Sequence, residues 1–228
     1  MAVKTEKFLS GTQQVQVDVF LPAAAGKYPA VLVLHGSFGL LPEYRADIVS
    51  FPEALVAKGI AAVMPHYLES TNTSPGMGVL ALIPASLPSW RKACADALTF
   101  MAKDPRFDVA HFGVLGFSLG GHLALSLAMD PPAGTALRCV VDFFGPTRQA
   151  PLEPHWAKMP PALIFHGTKD PLVPMADSEY LVEQLKGVGK KKDQDYFFEP
   201  VPGEGHGFKG AALVKSRDRS VEFLKKAL

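Results

Sequence analysis

The chain has 228 residues, of which 48% are hydrophobic and 20% are charged, and its formal net charge is +1. This composition is typical of a globular protein with ample core material, and we interpret residues 1–228 as one domain. The one basic run, residues 190–192, is flanked by aspartates and predicts a solvated loop rather than a nucleic-acid-binding surface. No apolar run approaches the roughly 18 residues of a membrane span, so we expect no membrane partner.

The two cysteines, Cys94 and Cys139, have neither the number nor the spacing of a disulfide framework or a metal site. Buried free thiols are the favoured interpretation, and one disulfide between them stays open at this stage. The first residues, MAVKTEKFLSG, lack the apolar core of a signal peptide. We therefore expect a cytoplasmic protein, either a monomer or a small homo-oligomer.

In chain order, the first predicted elements are two paired strands, Val3–Leu9 and Gln14–Leu21. In the second strand Val15, Val17 and Val19 alternate with polar residues, as in a half-buried antiparallel strand.

Beyond this pair, short apolar runs alternate with helical stretches. The runs are typical of parallel strands buried on both faces, and the alternation predicts a mostly parallel, doubly wound α/β sheet with helices on both faces. The predicted strands are Ala30–Leu34, Ile60–Met64, Val114–Phe117, Cys139–Phe144, Ala162–Phe165 and Tyr196–Val201. The predicted helices cover about Arg45–Lys58, Trp90–Lys103, Leu119–Met129, Met175–Lys186 and Ala211–Ala227.

Two connections bear on the site. We expect Tyr67–Ser89 to be a long, irregular loop that forms one wall of a cleft, because loops of this length are usually functional. By contrast, Gly145–Pro160 is too short to hold a separate lid domain, which predicts an open cleft.

Ser118 lies in the sequence VLGFSLGG, where an apolar strand gives way to a helix. In a G-x-S-x-G turn of this kind, the serine takes a strained backbone conformation that lifts Oγ clear of the sheet. Gly116 and Gly120 are small because a Cβ at either position would collide with the neighbouring strand and helix. The pattern predicts a nucleophile; a nucleotide-binding loop is disfavoured, since neither G-x-G-x-x-G nor a following Lys is present.

A serine nucleophile requires a base, because its hydroxyl is scarcely ionised at neutral pH. His206, in the loop PGEGHGF after the last strand, is flanked by glycines that let its ring turn toward the cleft. We interpret the remaining histidines as structural or surface residues, and no pair has the spacing of a zinc site, so no metal is assigned. The structural or surface histidines are His35, His66, His111, His122, His155 and His166.

The base in turn requires an acid to orient it. Asp170, in HGTKDPLVP after the strand Ala162–Phe165, lies at the carboxyl end of the sheet, where ligands collect in open α/β folds. Asp142, in CVVDFFG, is the alternative acid.

Stabilising an oxyanion requires two backbone amides. Leu119 opens a helix directly after the serine, so its amide would point at a developing negative charge. The second amide would come from the loop HGSFG after the strand Ala30–Leu34; Ser37 is our choice and Phe38 is the alternative.

With these residues placed, the chain resembles the dienelactone hydrolase (carboxymethylenebutenolidase) family of the α/β-hydrolase fold. The resemblance extends over nearly the whole chain and is carried by HGSFGL, GFSLGG, HGTKDPLVP and GEGHGF, with the serine, aspartate and histidine in the chain order of that fold. It implies a hydrolase of small esters or lactones, with no separate lid domain and no metal or organic cofactor.

Two departures from the family are visible in the sequence. Its best-known members use cysteine as the nucleophile where this chain has Ser118, and they carry a carboxylate at the place of Gly36. A serine activated by a histidine has no thiolate to tune, so the two changes agree with each other. The family's arginines that bind a substrate carboxylate are not evident, although Lys209 falls near one of them.

The resulting hypothesis is a serine hydrolase that cleaves small carboxylic esters or lactones through Ser118, His206 and Asp170. A small peptidase or amidase with the same residues is an alternative, since the scissile bond does not follow from the fold. A non-catalytic binding protein is a second alternative, disfavoured because no member of the triad is missing. We expect the substrate pocket to be lined by Phe38, Trp90, Phe117, Phe144, Phe208 and Lys209.

Overall fold

A computed structural model describes residues 2–148 and 155–228, which form one mostly parallel β-sheet flanked by helices. Within this described part, eight strands lie in the order β1-β2-β4-β3-β5-β6-β7-β8, and only the β1–β2 and β2–β4 pairs are antiparallel. The strands are β1 Ala2–Ser10, β2 Gln13–Leu21, β3 Tyr28–Leu34, β4 Ala61–Pro65, β5 Phe107–Phe117, β6 Leu137–Phe143, β7 Ala162–Gly167 and β8 Tyr196–Val201. The predicted fold class, a doubly wound α/β sheet, is confirmed.

The helices cover both faces of this sheet. They are α1 Pro42–Val56, α2 Gly78–Lys103, α3 Leu119–Met129, α4 Ala176–Gly187 and α5 Gly210–Ala227, with short 3-10 helices at Tyr67–Thr71 and Trp156–Lys158. Side chains of α2, α3 and α4 pack into one buried core, and those of α1 and α5 pack into a second core on the opposite face. Strands enclosed between two cores are apolar on both sides, which explains the continuous hydrophobic runs.

The connection Tyr67–Ser89 differs from the predicted irregular loop. Tyr67–Thr71 forms a 3-10 helix, and α2 begins at Gly78, so most of this segment is helical. Pro84 and Pro88 suggest a loop in the sequence but lie inside the helix.

Trp90 is fully buried rather than part of a cleft, so the prediction that it lines the pocket is wrong. It shares one face of α2 with Ala93, Cys94, Ala97, Leu98 and Met101, all of them buried. These residues recur at helical spacing, which directs the indole into the core. Its Nε1–H donates to Thr71 Oγ1 over 2.7 Å, so this helix is tied to the 3-10 helix before it.

The cysteines are free and buried in opposite cores, which settles the disulfide left open by the sequence. Burial raises the pKa of both the Cys94 and the Cys139 thiols, so neither is a reactive thiolate. Among the residues that the structure describes, no helix is long and apolar enough to cross a membrane. The predicted lidless connection Gly145–Pro160 includes residues 149–154, which lie outside the described residues.

Candidate active site

Ser118 occupies the sharp turn between β5 and α3. Its φ of 54° and ψ of −118° lie in a region that L-residues rarely adopt. A Cβ at Gly116 would come within 2.0 Å of the Gly120 carbonyl oxygen, and a Cβ at Gly120 within 2.2 Å of the Leu34 carbonyl oxygen. Both positions therefore require glycine, and the close approach of strand and helix that they allow raises Ser118 above the sheet.

Three side chains from separate loops form a continuous hydrogen-bonded chain. The Ser118 hydroxyl donates to His206 Nε2 over 2.8 Å, and His206 Nδ1–H donates to Asp170 Oδ2 over 2.7 Å. The structure thus brings together the three residues that the sequence predicts. Ser118 and His206 are 88 positions apart in the chain, and Asp170 and His206 are 36 positions apart.

The Asp170 carboxylate is held by its own loop. Its second oxygen, Oδ1, accepts hydrogen bonds of 2.9 Å from the backbone amides of Leu172 and Val173. Burial acts to raise the pKa of Asp170, but these amides and the hydrogen bond and charge of His206 outweigh it, so the net pKa is below its usual value. Asp170 is therefore ionised at neutral pH and able to orient the imidazole.

Asp142, the alternative acid, lies elsewhere. Its side chain is fully buried beneath the start of α3, where Oδ1 accepts the Gly145 amide over 3.1 Å. Oδ2 has no hydrogen-bond partner among the described residues. Burial raises the pKa of this carboxyl to about 7, and its one hydrogen bond leads to the backbone and not to His206.

The loop after β3 is folded against the turn that carries Ser118. A Cβ at Gly36 would lie 3.3 Å from the Ser118 Cβ, so this position directly adjoins the serine. The next residue, Ser37, is 3% exposed and lines the cleft, and its hydroxyl has no partner among the described residues. Among the described residues, no backbone or side-chain group accepts a hydrogen bond from the Ser37 amide. Leu119 is the first residue of α3, so its amide has no acceptor four residues earlier in the helix.

Tyr67 and His35 support this loop from behind. The buried Tyr67 hydroxyl donates to the His35 carbonyl oxygen over 2.7 Å, and the two rings stack with centroids 4.4 Å apart. His35 Nδ1–H donates to the Gly36 carbonyl, and Gly76 N–H donates to the Ser37 carbonyl. Burial lowers the pKa of His35 to about 4, so the ring is neutral. Tyr67 is not identified by the sequence, where its position after a strand is its one distinguishing feature.

The cleft beside Ser118 has a volume of about 440 Å³ and is mainly apolar. Of the predicted pocket residues, Phe38, Phe117, Phe144, Phe208 and Lys209 line it. Phe144 has a positive backbone φ of 46°. The centroid of its ring lies 4.6 Å from that of the His206 ring. Further walls come from α1 and from the first turns of α2. The sequence predicts a wall from the segment Tyr67–Ser89, and Leu80, Ile83 and Pro84 form it. The wall from α1 is not predicted; it consists of Tyr44, Asp47, Ile48 and Phe51.

The remaining histidines have other partners. His122 donates to the Pro146 carbonyl and is buried; His166, also buried, bonds Ser178 and the Val173 carbonyl. His66 lies against Asp18 and His111 against Asp108. Within residues 2–148 and 155–228, no group of histidine, cysteine or acidic side chains is arranged to hold a metal ion.

Comparison with known proteins identifies the family to which the chain belongs. The sequence pattern of the dienelactone hydrolase family matches residues 15–221. A provisionally named carboxymethylenebutenolidase of Synechocystis sp. is 24% identical over 90% of this chain and 87% of its own length. Mouse acyl-coenzyme A thioesterase 6 is 28% identical over 50% of this chain, which spans only 24% of the length of that relative.

Solved structures show the same fold. A dienelactone hydrolase-like promiscuous phosphotriesterase from metagenomic libraries superimposes with a TM-score of 0.81 at 18% identity, covering 99% of this chain and 98% of the other. The dienelactone hydrolase of Anabaena variabilis gives 0.74 at 21% identity, covering 100% of this chain and 98% of the other. The chain therefore has the α/β-hydrolase fold and belongs to the dienelactone hydrolase family.

Proposed function

We propose that this protein hydrolyses small carboxylic esters or lactones, with Ser118 as nucleophile, His206 as general base and acid, and Asp170 as the group that orients the histidine. The observation that carries the proposal is the hydrogen-bonded chain from Ser118 Oγ through the imidazole to the Asp170 carboxylate, with bonds of 2.8 and 2.7 Å. A serine activated in this way attacks a carbonyl carbon as its proton moves to His206 Nε2.

The negative charge that then develops on the carbonyl oxygen would be held by the Leu119 and Ser37 amides. Such preorganised donors stabilise the tetrahedral intermediate more than the substrate. When the intermediate collapses, His206 returns the proton to the leaving alkoxide and an acyl-Ser118 ester remains. Water, deprotonated by His206, attacks this ester and regenerates the serine, so each turnover consumes one water and yields one acid and one alcohol from an ester, or one hydroxy acid from a lactone.

A fluorophosphonate probe tests the nucleophile. We expect one covalent adduct per chain at Ser118, and no adduct with Ser118→Ala, whose folding is checked by circular dichroism. An adduct that survives this substitution, at Cys94 or Cys139 for example, would contradict the serine mechanism. Loss of the nucleophile should lower kcat by several orders of magnitude.

The scissile bond is tested with ester, lactone and amide substrates assayed in parallel. We expect turnover of esters and lactones and little turnover of amides, whose poorer leaving groups need protonation before they depart. Preferential amide turnover would favour the peptidase alternative, and no turnover of any substrate would favour the binding-protein alternative.

We further propose a cytoplasmic location, which is supported by the two buried free thiols.

A further inference from the structure

The charged groups at the cleft are already paired with each other. Among the lining residues that the structure describes, Asp47 on α1 and Lys209 before α5 carry opposite formal charges. The Lys209 Nζ donates to Asp47 Oδ2, although the two residues are 162 positions apart in the sequence. The ammonium group is thus neutralised by a carboxylate on the facing helix.

A second carboxylate lies close to the same lysine. Glu204 Oε2 accepts the backbone N–H of Lys209 over 3.3 Å. Glu204 thus lies beside the backbone of Lys209, while the ammonium group is bound to Asp47, and the three residues together carry a formal charge of −1. The rest of the lining offers mainly aromatic and aliphatic side chains.

We infer that Asp47 is a specificity-determining residue and that the cleft selects esters with uncharged, apolar acyl groups over esters that carry a carboxylate. The inference rests on the proposed ester hydrolysis at Ser118. A substrate carboxylate would have to displace Asp47 from Lys209. An uncharged acyl group meets no such obstacle and buries its apolar surface against the cleft walls.

The Asp47–Lys209 ion pair affects the charge that a substrate meets in the cleft more than it affects the stability of the fold. The Lys209 side chain is 64% exposed and that of Asp47 is 34% exposed, and exposed pairs of this kind contribute little to the free energy of unfolding. Removing the Asp47 charge should nevertheless leave the ammonium free to attract an anion entering the cleft, an effect that salt screens.

The test compares two nitrophenyl esters of similar length, the neutral heptanoate and the mono-adipate, whose acyl chain ends in a carboxylate. For the wild type we expect kcat/KM to be higher on the heptanoate. Asp47→Asn should raise the adipate-to-heptanoate ratio of kcat/KM by about fivefold at low salt, and the increase should shrink as salt is added. Glu43→Gln, which removes the same charge from an exposed position one turn earlier on α1, is the matched control and should change the ratio much less.

A third variant assigns the effect to the lysine. In a Lys209→Met background, Asp47→Asn should no longer raise the ratio, because the freed ammonium is absent. The inference is overturned if the wild type prefers the adipate ester, if Asp47→Asn changes the ratio no more than Glu43→Gln does, or if the increase persists without Lys209. Failure of the proposed function looks different: neither ester is cleaved, and the fluorophosphonate does not label Ser118.

Discussion

The Tyr67 hydroxyl donates a 2.7 Å hydrogen bond to the carbonyl oxygen of His35, the residue that precedes the loop folded against Ser118. Both groups are buried, so this bond fixes the backbone one residue before Gly36 and two before the Ser37 amide. If that amide stabilises the oxyanion, its position depends on a tyrosine that lines no part of the cleft.

Tyr67→Phe should therefore lower kcat by about three- to tenfold while KM changes little, because only a transition-state interaction is displaced. A boronic acid that forms a tetrahedral adduct should bind more weakly by a similar factor. The measurements are steady-state kinetics on a neutral ester and the inhibition constant of the boronic acid.

Tyr28→Phe is the matched control. The Tyr28 hydroxyl is also buried but has no hydrogen-bond partner among the described residues, so its removal should leave kcat and the inhibition constant near wild-type values. Equal losses in the two variants would mean that Tyr67 acts only through general stability.

The two buried aspartates should differ sharply in their effect on turnover. Asp170→Asn replaces the carboxylate that accepts His206 Nδ1–H with a neutral amide whose NH2 group can donate to Nδ1, which favours the wrong tautomer, so we expect kcat to fall by roughly 10³–10⁴-fold. Asp142→Asn should have a much smaller effect, since this side chain hydrogen-bonds the Gly145 amide. The reverse ranking in steady-state assays would show that the acid is wrongly assigned.

Asp142 should instead affect the pH dependence of stability. Burial raises the pKa of Asp142 to about 7 in the folded protein, whereas its usual value, which applies to the unfolded chain, is 3.8. Between these pH values the unfolded state binds fewer protons, so the carboxyl lowers the free energy of unfolding progressively as pH rises from about 4 to about 7.

Asp142→Asn has no such titration. The stability of this variant relative to the wild type should therefore increase over the same interval, by up to ~4 kcal/mol. Urea unfolding at several pH values measures the difference, and a pH-independent difference would show that Asp142 does not titrate in this range.

Acyl-chain length tests the size of the substrate. Phe51, Phe117 and Phe143 line the inner wall of the cleft and pack against one another with ring centroids 4.9–5.3 Å apart, so this wall closes the cleft toward the core. A palmitoyl chain would leave much of its length in water. We expect nitrophenyl acetate or butyrate to be hydrolysed faster per enzyme than the palmitate at the same detergent concentration; faster palmitate turnover would contradict the small-substrate proposal.

The fold could be predicted from the sequence because its signals are local. Continuous apolar runs mark strands buried between two layers, and the glycines around Ser118 mark a strand-to-helix turn that no other residue fits. The same locality explains the nomination of Asp170 and His206, each of which follows a predicted strand in a short loop.

The errors and omissions have physical causes too. Pro84 and Pro88 make the beginning of α2 look like a loop in the sequence, although a helix tolerates prolines where it faces solvent. Trp90 is expected in the cleft, although its helical spacing with the other buried residues of α2 directs it into the core. Asp47 and Tyr67 could not be identified, because their partners lie 162 and 32 residues away and only the folded sheet brings them together.

The prolines of α2 bear on how this cleft can change in evolution. Pro84 and Pro88 donate no backbone hydrogen bond, so the carbonyl groups four residues earlier, at Leu80 and Pro84, lack a helical partner. Leu80, Ile83 and Pro84 are also the residues of α2 that form a wall of the cleft. This wall therefore belongs to a helix that lacks two of its own backbone hydrogen bonds, whereas Ser118 lies on a turn that Gly116 and Gly120 hold in close contact with the sheet. Substitutions in the wall can thus reshape substrate preference while the Ser118 turn keeps its geometry.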